Sequence, residues 1–141
     1  METSAKTTIT VQSTVNAPVE KVWSVWTSPE HITKWNSAND DWHTPSATND
    51  LRVGGKFVSR MEAKDGSMGF DFEGTYENVK TNELIEYVMG DGRKVKIAFK
   101  SDEGVTTVTE TFDAETENSP ELQQAGWQAI IDNFKRYTES L

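Results

Sequence analysis

No cysteine occurs among the 141 residues. Disulfide staples, thiolate metal sites and cysteine nucleophiles are therefore excluded, and the composition suits a reducing compartment. Histidine is almost as scarce, with 2 copies, His31 and His43. Neither has another metal-type ligand at helical or tight-loop spacing, and Asp40 and Asp41 near His43 belong to an ordinary polar loop. Zinc needs three or four convergent ligands, so no metal is expected. No apolar run approaches the ~20 residues that cross a bilayer. Met1 to Thr10 has no apolar stretch behind a basic start, so neither membrane insertion nor a signal peptide is expected. Basic residues are outnumbered, 14 against 23 acidic, for a net charge of −9. That balance counts against nucleic acid and anionic membrane surfaces, whose recognition rests on Lys and Arg; it serves mainly to keep a domain soluble. The expected location is the cytoplasm. No serine nucleophile motif is present. Val53-Gly54-Gly55-Lys56 is too short for a phosphate-cradling loop and precedes a strand, not a helix. Its glycines suit a turn with positive φ.

What the chain does have is tryptophan, 5 copies. Aromatic side chains carry large buried area and fill cores or line pockets. The length fits one domain covering residues 1–141, with 1–7 polar and expected to be disordered. From Thr8 to Val15, β-branched residues alternate with period two, which predicts a strand with one buried face. Asn16-Ala17-Pro18 ends that strand and opens a helix, because proline fits a first helical turn. Val19, Val22, Trp23 and Trp26 form its apolar stripe. Ser28-Pro29-Glu30 repeats the start signal, and Ile32 and Trp35 give the second short helix a buried side. Asn36 to Pro45 reads as a polar loop containing Trp42, and Ser46 to Arg52 as a weak strand. Five further strands follow: Lys56 to Ala63, Phe70 to Val79, Leu84 to Met89, Arg93 to Lys100 and Val105 to Phe112. Turn signals such as Asp65-Gly66 and Asp91-Gly92 separate them. Ser119-Pro120-Glu121 opens a last helix carrying Trp127, Ile130, Ile131 and Phe134. Its ~30 Å length is enough to cross the concave face of a sheet. The predicted class is α+β: a curved antiparallel sheet of six to seven strands on a long C-terminal helix, with two short helices after the first strand.

This order resembles the START-like superfamily, also called SRPBCC, with its helix-grip fold. The branch it resembles is related to the C-terminal domain of the heat-shock-protein ATPase activators. The resemblance runs from about Thr8 to Leu141. Its carriers are Asn16-Ala17-Pro18-Val19-Glu20-Lys21-Val22-Trp23, Ser28-Pro29-Glu30-His31-Ile32 with Trp35, and Asp50-Leu51-Arg52-Val53-Gly54-Gly55. Phe72-Glu73-Gly74-Thr75-Tyr76 and Gly126-Trp127 complete it. The superfamily holds lipid carriers, polyketide aromatase/cyclases and plant hormone receptors. The resemblance therefore implies binding of a small hydrophobic or aromatic molecule between sheet and helix, with no cofactor. Two alternatives come with it: a cyclase- or hydratase-type enzyme in the same pocket, and a chaperone-interacting module. The separate chaperone-binding domain of the true activators is not expected here. The chain is read as a monomer or a homodimer.

Strand phase names the candidate lining. Phe57, Ser59 and Met61 point inward, as do Phe70, Phe72 and Tyr76, then Ile85, Tyr87 and Met89, then Val95, Ile97 and Phe99. The helix adds Trp127, Ile131 and Phe134, and Trp35 and Trp42 are placed to close one end. Two charged residues share the apolar phase: Arg93 with Val95 and Ile97, and Glu110 with Val108 and Phe112. Arg93 is a candidate ligand anchor, and Glu110 a candidate acid or base if burial raises its pKa. Alternatively they pair with each other, or Arg93 starts its strand at a rim and a bulge turns Glu110 outward. His43, beside Trp42, is the second acid/base candidate. Gly126, inside the last helix, is expected to allow close approach to a strand or to make room for Trp127.

Overall fold

A computed structural model of the protein describes residues 7–37 and 40–141. The expectation of disorder over 1–7 falls almost wholly outside them. Seven strands and three helices follow in the order β1 (Thr8–Val15), α1 (Val19–Thr27), α2 (Pro29–Trp35), β2 (Trp42–Asn49), β3 (Lys56–Ala63), β4 (Gly69–Lys80), β5 (Leu84–Met89), β6 (Lys94–Asp102), β7 (Val105–Asp113) and α3 (Pro120–Ser140). All pairings are antiparallel, in the order β1-β7-β6-β5-β4-β3-β2. This is the helix-grip arrangement that the order of elements predicts.

One strand starts earlier than expected. The segment read as a loop up to Pro45 is already β2 from Trp42. Proline removes a ladder donor and is confined to edges and bulges. Both conditions hold here: β2 ends the sheet, and its register against β3 slips between His43 and Ser46. The polar composition that reads as a loop is that of a half-solvated edge.

Local chemistry sets the other boundaries. Ser119 caps α3 by accepting a hydrogen bond from the Leu122 N–H at 3.1 Å, with Pro120 in the first turn. The turn into β3 needs two glycines. Gly54 has φ +85°, and a Cβ on Gly55 would meet the Asp50 carbonyl at 2.0 Å.

The helix α3 packs chiefly along β1, and its polar residues complete that edge strand. The Gln124 amide donates to Thr10 O (3.3 Å), and Gln128 both donates to Gln12 O (3.0 Å) and accepts from Gln12 N (3.4 Å). Lys135 Nζ donates to Thr14 O at 2.7 Å, and Glu139 Oε2 accepts from Asn16 N at 2.8 Å. One helix face thus occupies the backbone groups that another strand would otherwise take.

Under the helix the concave face divides in two. On the β1-β7-β6 side it is filled, except where Glu110 of β7 reaches the open half. Phe134 is fully buried, with ring centroids 4.8 Å from Trp26 and 4.9 Å from Trp35, and Trp26 and Trp23 also pack on Phe99. Trp35 is fixed by its indole N–H, which donates to Val25 O at 3.0 Å. On the β3-β4-β5 side the helix stands off. Gly126 has nothing within 4 Å of the place a Cβ would take. The close strand approach expected at Gly126 is therefore not present, and the glycine borders open space.

Candidate ligand-binding site

The space left on that side is a cavity of about 190 Å³. β3 supplies Phe57, Ser59 and Met61, and β4 supplies Phe70, Phe72 and Tyr76. These alternate because successive strand side chains point to opposite faces. Ile85 and Tyr87 come from β5, Glu110 from β7, Trp127 and Ile130 from α3, and Trp26, Ile32, Trp35 and Asn36 from α1 and the α2 end. Gly74 keeps the floor low: a Cβ there would lie 2.7 Å from the Phe57 ring and 3.0 Å from Tyr87. Phe70, 48% exposed, marks where the cavity meets solvent.

The aromatic walls are held edge to face. Phe57 and Tyr87 lie 4.7 Å apart at 75°, and Phe72 meets Trp127 at 6.1 Å and 82°. Trp127 stacks flat on Phe112, centroids 3.8 Å apart. Such contacts fix ring orientation as well as area. Polar groups are few. Tyr76 donates its hydroxyl to Asn49 Oδ1 at 2.5 Å, and Asn49 in turn donates to Thr27 O at 2.6 Å. Burial raises the pKa of both Tyr76 and Tyr87, so both phenols stay protonated.

Glu110 is the exception in this lining. It is 6% exposed, opposite Val11 of β1 and Ile97 of β6. β7 pairs without a register shift on either side, so no bulge turns the side chain outward. Nor does it pair with Arg93, whose Nε donates to Asp91 Oδ2 at 2.7 Å before β6 begins. Burial alone pushes the Glu110 carboxyl up to about 8.

The structure therefore brings together Trp35, Phe57, Ser59, Met61, Phe70, Phe72, Tyr76, Tyr87, Glu110 and Trp127. It leaves others out of the cavity. Ile97 of β6 and Ile131 and Phe134 of α3 are buried in the filled core. Met89, one step past Tyr87, ends β5 within the core. Arg93 stands at the rim on Asp91. Trp42 touches the site only through Phe70, at 6.1 Å, and His43 lies beside the Glu62 carboxylate on the edge strand, at 3.9 Å. Trp26, Ile32, Asn36 and Ile130 are the lining residues that sequence reasoning did not assign to it. Ile85, named as an inward strand position, does line it. Trp26 and Ile130 carried only a helical stripe, which looks the same over a core and over a cavity.

A family model described as "Activator of Hsp90 ATPase homolog 1-like protein" matches residues 16–139. The chain belongs to that family. Among solved structures, it is similar to the AHSA1-like protein of Aeromonas hydrophila: 49% identity over 95% of this chain and 93% of that one, TM-score 0.89. It is also similar to a protein of Cytophaga hutchinsonii, at 57% identity over 94% and 92% of the two chains, TM-score 0.82. A protein of Nitrosomonas europaea shares the fold at 20% identity, TM-score 0.82, over 98% and 97%. A search of curated proteins finds no match. No helix among the described residues is long and apolar enough to cross a membrane.

Proposed function

We propose that this member of the family binds a small, largely apolar ligand in the cavity between β3-β4-β5 and α3. The carrying observation is the division of the concave face: one half is packed solid while the other leaves about 190 Å³ walled by aromatic rings. A filled interior would leave voids of no more than about a water molecule. The space is smaller than the ~300–1,000 Å³ of drug-sized sites. It therefore suits a ligand of one or two rings rather than a sterol. Amide NMR titration with monocyclic and bicyclic aromatic compounds tests this. Saturable shifts at Phe72, Tyr87 and Trp127 are expected in the native protein. They are expected to vanish in Ile130→Trp, in which the helix fills the cavity from its half-exposed side. Shifts that persist unchanged in that variant would place binding elsewhere. An activator-like role on an ATPase, the activity the family description names, would work through the outer surface and survive Ile130→Trp.

A second reading is favoured by one observation: a carboxyl that stays protonated at neutral pH, with the Tyr87 phenol close enough for the two to interact. Such a pair can donate a proton to a carbonyl, as a cyclase or hydratase requires. In that case Glu110→Gln abolishes turnover of a substrate that still binds. Turnover that survives the substitution removes the acid/base role.

A further inference from the structure

Among the described residues, the ionisable groups that line the cavity are Glu110, Tyr76 and Tyr87, with no Lys, Arg or His. Among the described residues, no hydrogen bond or neighbouring positive charge offsets the burial of the Glu110 carboxyl. The same cavity is lined by the ring systems of Trp26, Trp35, Phe57, Phe72, Tyr87 and Trp127, of which Tyr87 is close enough to interact with it. A ring presents a negative face, and a cation within about 6 Å of the centroid is attracted to it. An unpaired carboxyl in a cavity lined by six aromatic rings is a site whose missing member is positive. A ligand carboxylate, by contrast, finds no cation there and faces another acid.

We propose that the cavity selects an organic cation, a tertiary or quaternary ammonium on a compact aromatic group, with its charge against Glu110 and its methyl groups against the rings. The inference rests on the ligand-binding reading above and adds the class of ligand. It also accounts for an otherwise costly feature. A buried acid without a partner is expensive when ionised, and an incoming cation supplies the partner. The net charge of −9 raises the local concentration of cations around the protein.

Ionisation of Glu110 is then part of binding. The groups facing it from the packed elements do not titrate alongside it. Tyr87 of β5 and Tyr76 of β4 are held protonated by burial. β1 and α3 present Val11, Trp127 and Ile130, and Arg93 at the rim stays on Asp91. A permanently charged ligand must displace the Glu110 proton below pH ~8, so its affinity rises with pH, by about 20-fold between pH 6.5 and 8.5.

The test compares benzyltrimethylammonium with neopentylbenzene, its uncharged isostere, by amide NMR titration of the full chain. At pH 8.5 the cation is expected to bind at least ~10-fold more tightly, and its affinity to climb with pH while that of the isostere stays flat. In Glu110→Gln the preference and the pH dependence are both expected to be lost. If that variant does not fold, the two native-protein measurements decide alone. Equal or tighter binding of the isostere overturns the cation inference and leaves the ligand-binding reading standing. Binding of neither compound overturns both.

Discussion

In Glu110→Gln, the decline of folding stability between pH 5 and pH 9 is expected to be largely abolished. The folded carboxyl titrates at about 8 against an ordinary 4.5, because burial disfavours the anion. Below pH 4.5 the group is neutral in folded and unfolded chains, and its ionisation contributes nothing. Between 4.5 and 8 the unfolded chain has released its proton while the folded one retains it. Unfolding then releases a proton, so raising the pH favours unfolding. Above pH 8 the penalty reaches its plateau. A tenfold change in acidity corresponds to ~1.4 kcal/mol, so the full penalty is at most about 5 kcal/mol. Glutamine resembles the protonated acid and does not titrate. Urea denaturation across this range checks the sign and the size. The native protein should lose stability steadily from pH 5 to 8.5, and the variant should show a flatter profile and gain several kcal/mol at pH 9. Parallel profiles would mean that Glu110 is solvated or paired in solution.

The second large effect is expected at Phe134→Ala. Phe134 is fully buried, and its ring meets Trp26 and Trp35 edge to face. Truncation removes the buried area, leaves a hole that surrounding helices fill only in part, and breaks both ring contacts. Phe→Ala changes of this kind cost about 3–5 kcal/mol. For a domain of this size the melting temperature should fall by roughly 10–20 °C. Trp26 and Trp35 also line the cavity, so tryptophan fluorescence should change with it. Phe70→Ala is the contrasting case. Phe70 is 48% exposed at the mouth and should cost well under ~1 kcal/mol while still altering ligand titrations. Equal losses at the two positions would mean that the filled and open halves of the concave face do not differ as described.

Residue patterns carried some of this and not the rest. Period-two alternation located β1 and β3 to β7 because each has one wet and one dry face. The same alternation placed Glu110 inside, on the phase of Val108 and Phe112, and left open whether a bulge turned it out. It failed at Trp42 to Pro45, where an edge strand needs no apolar phase and tolerates proline. Within the site, the β3 and β4 positions were legible because those strands face open space along their length. On α3 the reading named Trp127, which lines the cavity, but missed Ile130. Trp127, Ile130, Ile131 and Phe134 share one apolar stripe, yet two of them border the cavity and two lie in solid core. Whether a stripe meets side chains or vacancy depends on how the helix sits across the sheet. That is a property of distant elements, chiefly the tryptophans of α1 and α2 wedged under one side of the helix. Arg93 misled for a local reason: Asp91, two residues back in the turn, claims it before the strand starts.

The polar stitching of α3 to the free edge of β1 decides which wall of the protein can yield. Three residues on one side of the helix hold the β1 backbone and a fourth, Glu139, holds Asn16 just past it, while Asn133 ties the same helix to the Trp35 and Ser37 carbonyls. Sliding or swinging the helix away from that seam would break several of these bonds together. The opposite margin, β2 with its proline and broken register, is held at fewer points: Thr44 donates to Asn36 O and Asn49 to Thr27 O, each at 2.6 Å. The molecule is thus built like a book with a stitched spine along β1 and α3 and its loosest page at the β3-β4 hairpin, where Met68 and Phe70 are exposed. A guest too large for the resting cavity would enter by bending that page, leaving the helix where it is.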